Sequence, residues 1–165
     1  MNYNNLPILL KAFPNWVCWG KKNTAGRAYK IPYNPVTGRG AKANDPSTWV
    51  DFETAVQAVE RGEYAGIGIE FHPDNGIMGI DFDHCIDPET HSLDPQVQEW
   101  VNQFDSYTEI SQSGTGIHIL VFGSLPQNKG IHAEQVEMYD SGRYFALTGD
   151  TESPREIRDA QDVVQ

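Results

Sequence analysis

Two carboxylates, Asp81 and Asp83, close an apolar stretch at residues 76–83, and their types and spacing suit metal chemistry. The stretch has the composition of a buried strand. Because strand side chains alternate between faces, Asp81 and Asp83 share one face, opposite Ile80 and Phe82. Adjacent carboxylates repel each other, and a divalent cation that prefers oxygen ligands, such as Mg²⁺, would remove that cost. The alternative is a strand end with two solvated turn residues.

Two further stretches carry groups that suit phosphate chemistry. A turn containing Ser113 and Gly114 offers N–H groups and hydroxyls to phosphate oxygens, and His118 after it can donate a hydrogen bond. Glu137 adds a third carboxylate, so that two divalent ions could clamp a displacement at phosphorus. Arg143 could bind phosphate bidentately. Each has a simpler interpretation: a hairpin turn, a structural histidine, a surface glutamate, and an arginine paired with a neighbouring aspartate.

Alternating and helical apolar patterns, separated by turn signals, predict the elements that position these groups. Strands are predicted at residues 16–19, 28–33, 66–71, 76–83, 106–111, 117–122, 134–139 and 143–148. Helices are predicted at residues 49–59 after a cap at Asp45 or Ser47, from Asp94-Pro95 onward, and from Ser153-Pro154 onward. The turns predict hairpins of 16–19 with 28–33, of 66–71 with 76–83, of 106–111 with 117–122, and of 134–139 with 143–148. This order predicts an α+β fold with a mainly antiparallel sheet and helices on one face.

Charge and cysteine content narrow the functional classes. The net charge of −11 argues against nonspecific nucleic-acid binding by the whole surface. Residues 1–50 carry seven Lys/Arg and one acid, whereas residues 51–165 carry five Lys/Arg and 22 acids. A basic amino-terminal hairpin could therefore hold a polyanion against an acidic metal-binding face, and uneven surface charge is the alternative. Two distant cysteines and the lack of a long apolar run predict a cytoplasmic protein without disulfides, signal peptide or membrane span.

The order of these motifs resembles the primase-polymerases of the archaeo-eukaryotic primase superfamily, especially the bifunctional primase/polymerase domains of phages, plasmids and CRISPR-linked proteins. The family's first motif is Asp-x-Asp, here Asp81-Phe82-Asp83, and its second is a Ser-x-x-Gly-x-His turn, here at residues 113–118. Its third is an acidic residue on a later strand, here Glu137, with Asp140 as a nearby alternative. The resemblance covers roughly residues 14–150.

The resemblance also implies a fold and a set of ligands. It implies an amino-terminal α/β part packed on a mainly antiparallel sheet like that of an RNA-recognition motif, with the active site in the cleft between them. Two divalent ions, Mg²⁺ or Mn²⁺, would be bound by Asp81, Asp83 and Glu137. The nucleotide triphosphate would be held by Ser113, Gly114, His118 and Arg143. The sugar would contact Tyr144, and phosphates of the nucleotide or template would contact Lys30 and Lys42.

The implied function is a nucleotidyltransferase, a DNA primase or polymerase that makes or extends primers on a single-stranded DNA template from dNTPs or NTPs. Residues 1–165 would form one catalytic domain of a longer protein, which could also carry a helicase or a carboxy-terminal priming module. Two other hypotheses stay open. One is a non-catalytic nucleotide- or DNA-binding module, and the other is a metal-dependent nuclease.

Overall fold

The computed structural model describes residues 1–20, 31–126, 130–133 and 135–164, which form two β-sheets with short helices. The strands are β1 Trp16–Gly20, β2 Ile31–Tyr33, β3 Gly66–Glu70, β4 Ile77–Phe82, β5 Thr108–Ile110, β6 Ile117–Phe122, β7 Ile131–His132, β8 Val136–Tyr139, β9 Tyr144–Leu147 and β10 Arg158–Asp159. The α-helices are α1 Ile8–Lys11, α2 Phe52–Glu60, α3 Pro95–Phe104 and α4 Gln161–Val164. Short 3-10 turns occupy Tyr3–Asn5, Pro46–Thr48 and Pro73–Asn75.

The first sheet has the strand order β2-β1-β3-β9, with antiparallel neighbours throughout. The apolar side of this sheet packs against α2, where Cys18 and Ile67 join the same buried cluster as Ala55 and Ala58 of the helix. These small alanines let the helix lie close to the strands. Strands β1 and β2 pair in antiparallel fashion, so the predicted pairing of residues 16–19 with 28–33 is confirmed for the described residues. The turn predicted between these strands falls on residues 21–30, which lie outside the described residues.

The second sheet has the strand order β10-β6-β4-β8-β7. Its central strand, β4, is antiparallel to both β6 and β8. One edge of β6 is shared by two short strands, because β5 pairs with its first half in antiparallel fashion and β10 pairs with its end in parallel fashion. The predicted hairpin between residues 106–111 and 117–122 is therefore confirmed as β5 and β6. Strand β4 carries the paired aspartates to the middle of this sheet.

Two other predicted hairpins are wrong, because each is divided between the sheets. Strand β3 belongs to the first sheet and β4 to the second, and β9 and β8 are divided in the same way. The chain does reverse at Gly76, whose φ is 65°. However, Gly79 on β4 leaves room for two aromatic rings, since a Cβ there would lie 2.4 Å from Phe71 and 2.5 Å from Phe145. These rings fill the space between two sheets that pack against each other instead of continuing side by side.

The helix starts follow capping chemistry, although one predicted cap is wrong. Helix α2 begins after Asp51, whose carboxylate accepts a hydrogen bond from the Thr54 amide at 2.8 Å. The expected caps at Asp45 and Ser47 lie six and four residues too early, and Asp45 caps the 3-10 turn instead. The predicted start of α3 at Asp94 is confirmed, and Pro95 occupies its first position.

The helix expected from Ser153-Pro154 is also wrong. The chain there is extended as far as β10, where Arg158 pairs with Val121 of β6. The Arg158 amide donates a hydrogen bond to the buried Ser106 hydroxyl at 2.8 Å. This long-range pairing overrides the local helical signal, and only residues 161–164 form a helical turn.

The hydrophobic core has two parts, one on each side of the second sheet. The part that faces the first sheet includes Leu120, Tyr139, Phe145 and Leu147. The part that faces α3 includes Ile80, Phe104, Ile117, Ile119 and Val121. The α+β prediction with two packed modules and mainly antiparallel sheets is therefore confirmed. None of the helices in the described residues is long and apolar enough to cross a lipid bilayer.

Candidate active site

A row of polar side chains crosses three strands of the second sheet. On β4, Asp81 is the register partner of His118 on β6 and of Glu137 on β8. Directly opposed residues of an antiparallel pair project to the same side of the sheet. All three side chains therefore lie on the face turned toward the first sheet. The sequence predicted these residues as parts of one site, and the strand register brings them side by side.

Asp83 lies just beyond the end of β4 and is exposed. Its amide donates a hydrogen bond to the Gln135 carbonyl at 2.9 Å, so the pairing with the β8 side continues past the last strand residue. The turn between β5 and β6 packs beside it through Gly116. A Cβ on that glycine would lie 2.7 Å from the Phe82 carbonyl oxygen and 3.6 Å from the Asp83 Cα. This close approach places the turn next to the second aspartate.

The turn itself is an exposed cluster of hydroxyl groups. The Ser113 hydroxyl lies 3.1 Å from the hydroxyls of both Ser111 and Thr115, and it accepts a hydrogen bond from the Thr115 amide at 3.3 Å. Gly114 has a φ of 80°, which is in the left-handed region that favours glycine. The turn predicted from the sequence is therefore present, and it holds Ser113 and Gly114 at the surface, on the same turn as Gly116.

A cleft of about 270 Å³ lies over the polar row and is lined from both sheets. Its lining residues are Asp81, His118, Glu137, Tyr139, Arg143, Tyr144, Phe145 and Ala146. Asp83, Ser113 and Gly114 are outside this lining. Two larger cavities lie elsewhere, one beside the loop of residues 84–95 and the other around residues 150–155. Neither contains Asp81 or Glu137, so the smaller cleft is the one with the predicted chemistry.

His118 is buried between polar groups and an aromatic ring. It is 7% exposed. Its Nδ1 lies 3.0 Å from Glu109 Oε2, and its Nε2 lies 3.7 Å from Asp81 Oδ1. The imidazole also stacks on Phe145 of the first sheet, with ring centroids 4.7 Å apart and an interplanar angle of 25°. These contacts fix one orientation of the ring, in which Nδ1 faces Glu109 and Nε2 faces Asp81.

Glu137 and Arg143 are connected through Tyr139. The Tyr139 hydroxyl donates a hydrogen bond to Glu137 Oε2 at 2.9 Å. Burial, reinforced by this hydrogen bond, raises the pKa of Tyr139 to about 12. The exposed Arg143 guanidinium lies over the Tyr139 ring, 5.3 Å from its centroid. Tyr139 thereby orients the third carboxylate, and its ring supports the arginine at the mouth of the cleft.

The neighbouring Asp140 has a different environment. It is buried, its Oδ2 accepts a hydrogen bond from the Leu125 amide at 2.9 Å, and its Oδ1 accepts one from the Ser141 hydroxyl at 3.3 Å. It does not line the cleft. Since Glu137 is the register partner of Asp81, the geometry favours Glu137 over Asp140 as the third acidic residue.

Tyr144 lies on the first-sheet wall of the cleft. Its ring covers Gly68, because a Cβ on that glycine would lie 2.6 Å from the ring. Its register partner is the buried Glu70. Burial and then the nearby Glu70 raise the pKa of the Tyr144 phenol. Glycine at 68 thus allows the close approach of an aromatic ring, and Gly66 does the same for Trp19, where a Cβ would lie 2.5 Å from the indole.

Lys42, one of the two predicted lysine ligands, is not brought into the cleft. Lys42 is exposed, and its backbone carbonyl accepts a hydrogen bond from the Trp49 indole at 3.0 Å, but the residue does not line the cleft. Lys30 lies outside the described residues.

The acidic row has the donors that a hard divalent cation prefers, because Asp81, Asp83 and Glu137 offer carboxylate oxygens. Asp81 Oδ1 is buried, and its 3.7 Å distance from His118 Nε2 is too long for a hydrogen bond. Within the described ranges, no three His, Cys, Asp or Glu side chains are close enough to hold an ion as a set. Mg²⁺ is commonly bound by one or two carboxylates together with waters and substrate phosphates, so the residues present fit such an ion.

Three contributors to the site were missed in the sequence, namely Glu109, Tyr139 and Phe145. A signal for the first was available: in the β5–β6 hairpin, counting outward from the turn pairs Ile110 with Ile117 and hence Glu109 with His118. Tyr139 shares the alternating face of Glu137, but alternation alone does not reveal a hydrogen bond. Phe145 comes from the other sheet, and no local pattern indicates its contact with His118.

The fold and the site define an α+β protein with an acidic cleft suited to phosphate chemistry. No family model matches the chain. Over 146 residues the chain is 34% identical to a protein of Nitratiruptor phage NrS-1 named DNA primase-polymerase. The match covers 86% of this chain and 20% of that protein, so the chain spans about a fifth of the length of this relative. This similarity supports the resemblance to the primase-polymerases that the order of the motifs predicted.

Proposed function

We propose that the chain is the nucleotidyltransferase domain of a DNA primase-polymerase, which makes or extends primers on a single-stranded DNA template from dNTPs or NTPs. One observation supports this proposal above the others: the strand register aligns Asp81 with His118 and Glu137 on the wall of one cleft. The similarity to a phage protein named DNA primase-polymerase supports DNA as template and nucleotides as substrates.

In the proposed reaction a primer 3′-hydroxyl attacks the α-phosphate of the incoming nucleotide, and pyrophosphate leaves. Asp81, Glu137 and the exposed Asp83 are the proposed ligands of Mg²⁺ or Mn²⁺. The ions, when bound, supply electrostatic stabilisation of the charge on the transferred group. The chain contributes positioning and electrostatics, since phosphoryl transfer of this kind needs no covalent intermediate with the protein.

The triphosphate is proposed to extend from the cleft toward the turn of Ser113 and Gly114. A volume of about 270 Å³ is slightly below the range of ordinary small-molecule pockets, which is roughly 300–1,000 Å³, so the cleft holds only part of a nucleotide. His118 inside the cleft and Arg143 at its mouth are the proposed hydrogen-bond donors to the phosphate oxygens. The exposed amides and hydroxyls of the turn are proposed to receive the remaining phosphate oxygens.

Contacts with the template strand and with other modules of a longer protein are also proposed. Lys30 and Lys42 belong to the basic amino-terminal section, which is proposed to contact the phosphates of the nucleotide or the template strand. A helicase or a priming module elsewhere in a longer protein would supply strand separation or primer initiation.

Extension of a labelled primer on a single-stranded template tests the proposed function. The assay is run with Mg²⁺ or Mn²⁺, and separately with dNTPs and NTPs. We expect template-dependent products, whose yield with each nucleotide type reports the sugar preference. Nucleotide binding by calorimetry without any extension would contradict the proposal and favour a binding module. Shortening of the primer would favour a nuclease.

Replacing Gly68 by alanine is expected to change nucleotide selection. The added Cβ would lie 2.6 Å from the Tyr144 ring, so the ring must move away from its position on the cleft wall. We expect the ratio of kcat/KM for dNTPs to that for NTPs to change severalfold. Overpacking of this kind also costs roughly 1–3 kcal/mol of unfolding free energy.

Gly66→Ala is a matched control for that change. It lies on the same strand and also forces an aromatic ring to move, because its Cβ would lie 2.5 Å from the Trp19 indole. A Cβ at Gly68 would in addition lie 2.9 Å from the Phe145 carbonyl oxygen. Trp19 does not line the cleft. The control should lose stability and keep the wild-type nucleotide ratio. Equal changes of that ratio in both variants would assign the effect to general loosening of the sheet.

Glu70 is expected to make stability depend on pH. It is 2% exposed, and none of the described residues donates a hydrogen bond to its Oε2. Burial raises its pKa from 4.5 to about 7. The native state therefore binds the proton more tightly than the unfolded chain, so the free energy of unfolding falls as pH rises from about 4.5 to about 7, by roughly 3 kcal/mol. Urea titrations at pH 5 and pH 8 measure this fall. The unfolding free energy of Glu70→Gln should fall less between the two pH values than that of the wild type, and equal falls would contradict this role of Glu70.

A further inference from the structure

Glu109 is a buried carboxylate at the junction of the two sheets. It is 1% exposed and lies on β5, where it is the register partner of His118. Its Oε1 accepts hydrogen bonds from the Tyr107 hydroxyl at 2.7 Å and from the Gly149 amide at 3.1 Å. The Thr148 amide donates to both oxygens, at 3.2 Å and 3.0 Å. The remaining contact of Oε2 is with His118 Nδ1 at 3.0 Å.

These contacts determine which imidazole nitrogen carries a hydrogen. The two amides can only donate, and the Tyr107 hydroxyl also donates here, so the carboxylate acts as an acceptor toward all three. A carboxylate in this role leaves Nδ1 of His118 as the donor. Since Nδ1 is engaged by Glu109 and the ring face is covered by Phe145, Nε2 is the nitrogen available to a ligand in the cleft.

We propose that Glu109 is a positioning residue for nucleotide binding: by accepting the Nδ1–H of His118, it holds the ring so that Nε2 faces the triphosphate, to which Nε2 donates when it also carries a hydrogen. This inference rests on the proposed function, and it assigns a role to a residue that does not itself contact the acidic row. A second feature supports the assignment. The same carboxylate binds the amides of Thr148 and Gly149, which directly follow β9, the strand that carries Tyr144 into the cleft. Glu109 therefore links His118 on one wall to the end of the strand that forms the other.

Glu109→Gln is the variant of choice, because it keeps the size of the side chain. The glutamine oxygen can still accept from the backbone amides, but its NH₂ group then faces Nδ1 as a donor. The Nδ1–H then faces a donor instead of a carboxylate, so the contact that holds the ring is lost, together with the negative charge that favours a hydrogen on both ring nitrogens. We expect nucleotide affinity to fall roughly tenfold, as for loss of one hydrogen bond to a charged group.

A double-mutant cycle separates positioning from a general structural effect. Nucleotide dissociation constants are measured by calorimetry for the wild type, Glu109→Gln, His118→Ala and the double variant. If Glu109 acts through His118, the double variant should bind within about twofold of His118→Ala. Full multiplication of the two single effects would overturn the proposal, because Glu109 would then act independently of the histidine.

Ser106→Ala is the matched structural control. Ser106 is buried just before β5, and its hydroxyl bonds the Leu120 carbonyl and the Arg158 amide without contacting His118. The control should lose stability and keep wild-type nucleotide affinity. A loss of affinity as large as that of Glu109→Gln would overturn the proposal, since it would follow from destabilisation alone.

A measurement on the wild type decides the proposal even if the variants do not fold. Nitrogen-15 NMR of the histidine rings at one fixed pH reports which nitrogen of His118 carries hydrogen. A protonated Nδ1 supports the proposal, and a bare Nδ1 overturns it. This readout needs neither nucleotide nor primer, so it is independent of the proposed function, which fails separately if the wild type extends no primer.

Discussion

The variant with Asp81→Ala and Asp83→Ala is expected to lose nucleotide incorporation by about 10³-fold or more while keeping its fold. The reason is that the proposed metal ligands on and just after β4 are both removed, and the stabilisation of transition-state charge is lost with them. Asp81 directly faces Glu137 across the ladder, so its removal also removes a like-charge pair, which typically costs about 0.2–1 kcal/mol. Without added metal, the unfolding free energy should therefore not fall. Primer extension and thermal unfolding measure the two effects.

Asp74→Ala is the control for this prediction. Asp74 precedes the same strand, and its side chain is 87% exposed. The control should extend primers at the wild-type rate. If the double aspartate variant loses its thermal transition together with its activity, the pair is structural and the metal-binding role is wrong.

His118→Ala is expected to raise the nucleotide KM by roughly 10- to 100-fold, because it removes a charge-assisted phosphate contact. Metal affinity should change much less, since the carboxylates of Asp81 and Glu137 remain. The variant should also lose roughly 1–3 kcal/mol of stability, because Glu109 Oε2 loses the His118 ring and the stacking partner of Phe145 is removed. Steady-state kinetics and calorimetric titration with Mn²⁺ distinguish the two binding events.

His118→Asn provides the comparison variant. A shorter side chain with an amide donor retains a polar group near Glu109 but does not reach the cleft as the imidazole does. It should recover part of the lost stability and little of the nucleotide affinity. A collapse of Mn²⁺ affinity in either variant, with KM unchanged, would show that His118 serves the metal site instead of the triphosphate.

Much of the candidate site follows from local sequence. The period of a strand is enough to predict that Asp81 and Asp83 share a face, and the glycine-containing turn before His118 is enough to predict a hairpin. The start of α3 at Asp94-Pro95 likewise follows from capping chemistry that involves only neighbouring residues. These features depend on interactions within a few residues of each other, so their signals survive in the linear chain.

The partners of each strand depend on the whole molecule instead. Turn signals around Gly76 correctly predict a reversal of the chain, yet β3 and β4 belong to different sheets. The decision comes from the burial of Phe71 and Phe145 over Gly79, a contact between residues far apart in sequence. A turn signal describes only the local backbone, whereas strand pairing is determined by the burial of apolar surface across the entire fold.

The sequence by itself predicted the chemical groups of the candidate site and their order along the chain. Only the tertiary structure favours Glu137 over Asp140, because the choice depends on register with Asp81 and on the buried hydrogen bonds that engage Asp140. It also brought Glu109 and Phe145 to His118. Alternation tells which residues share a face of one strand, but the neighbours on that face come from other strands, and their positions are set by packing between the two sheets.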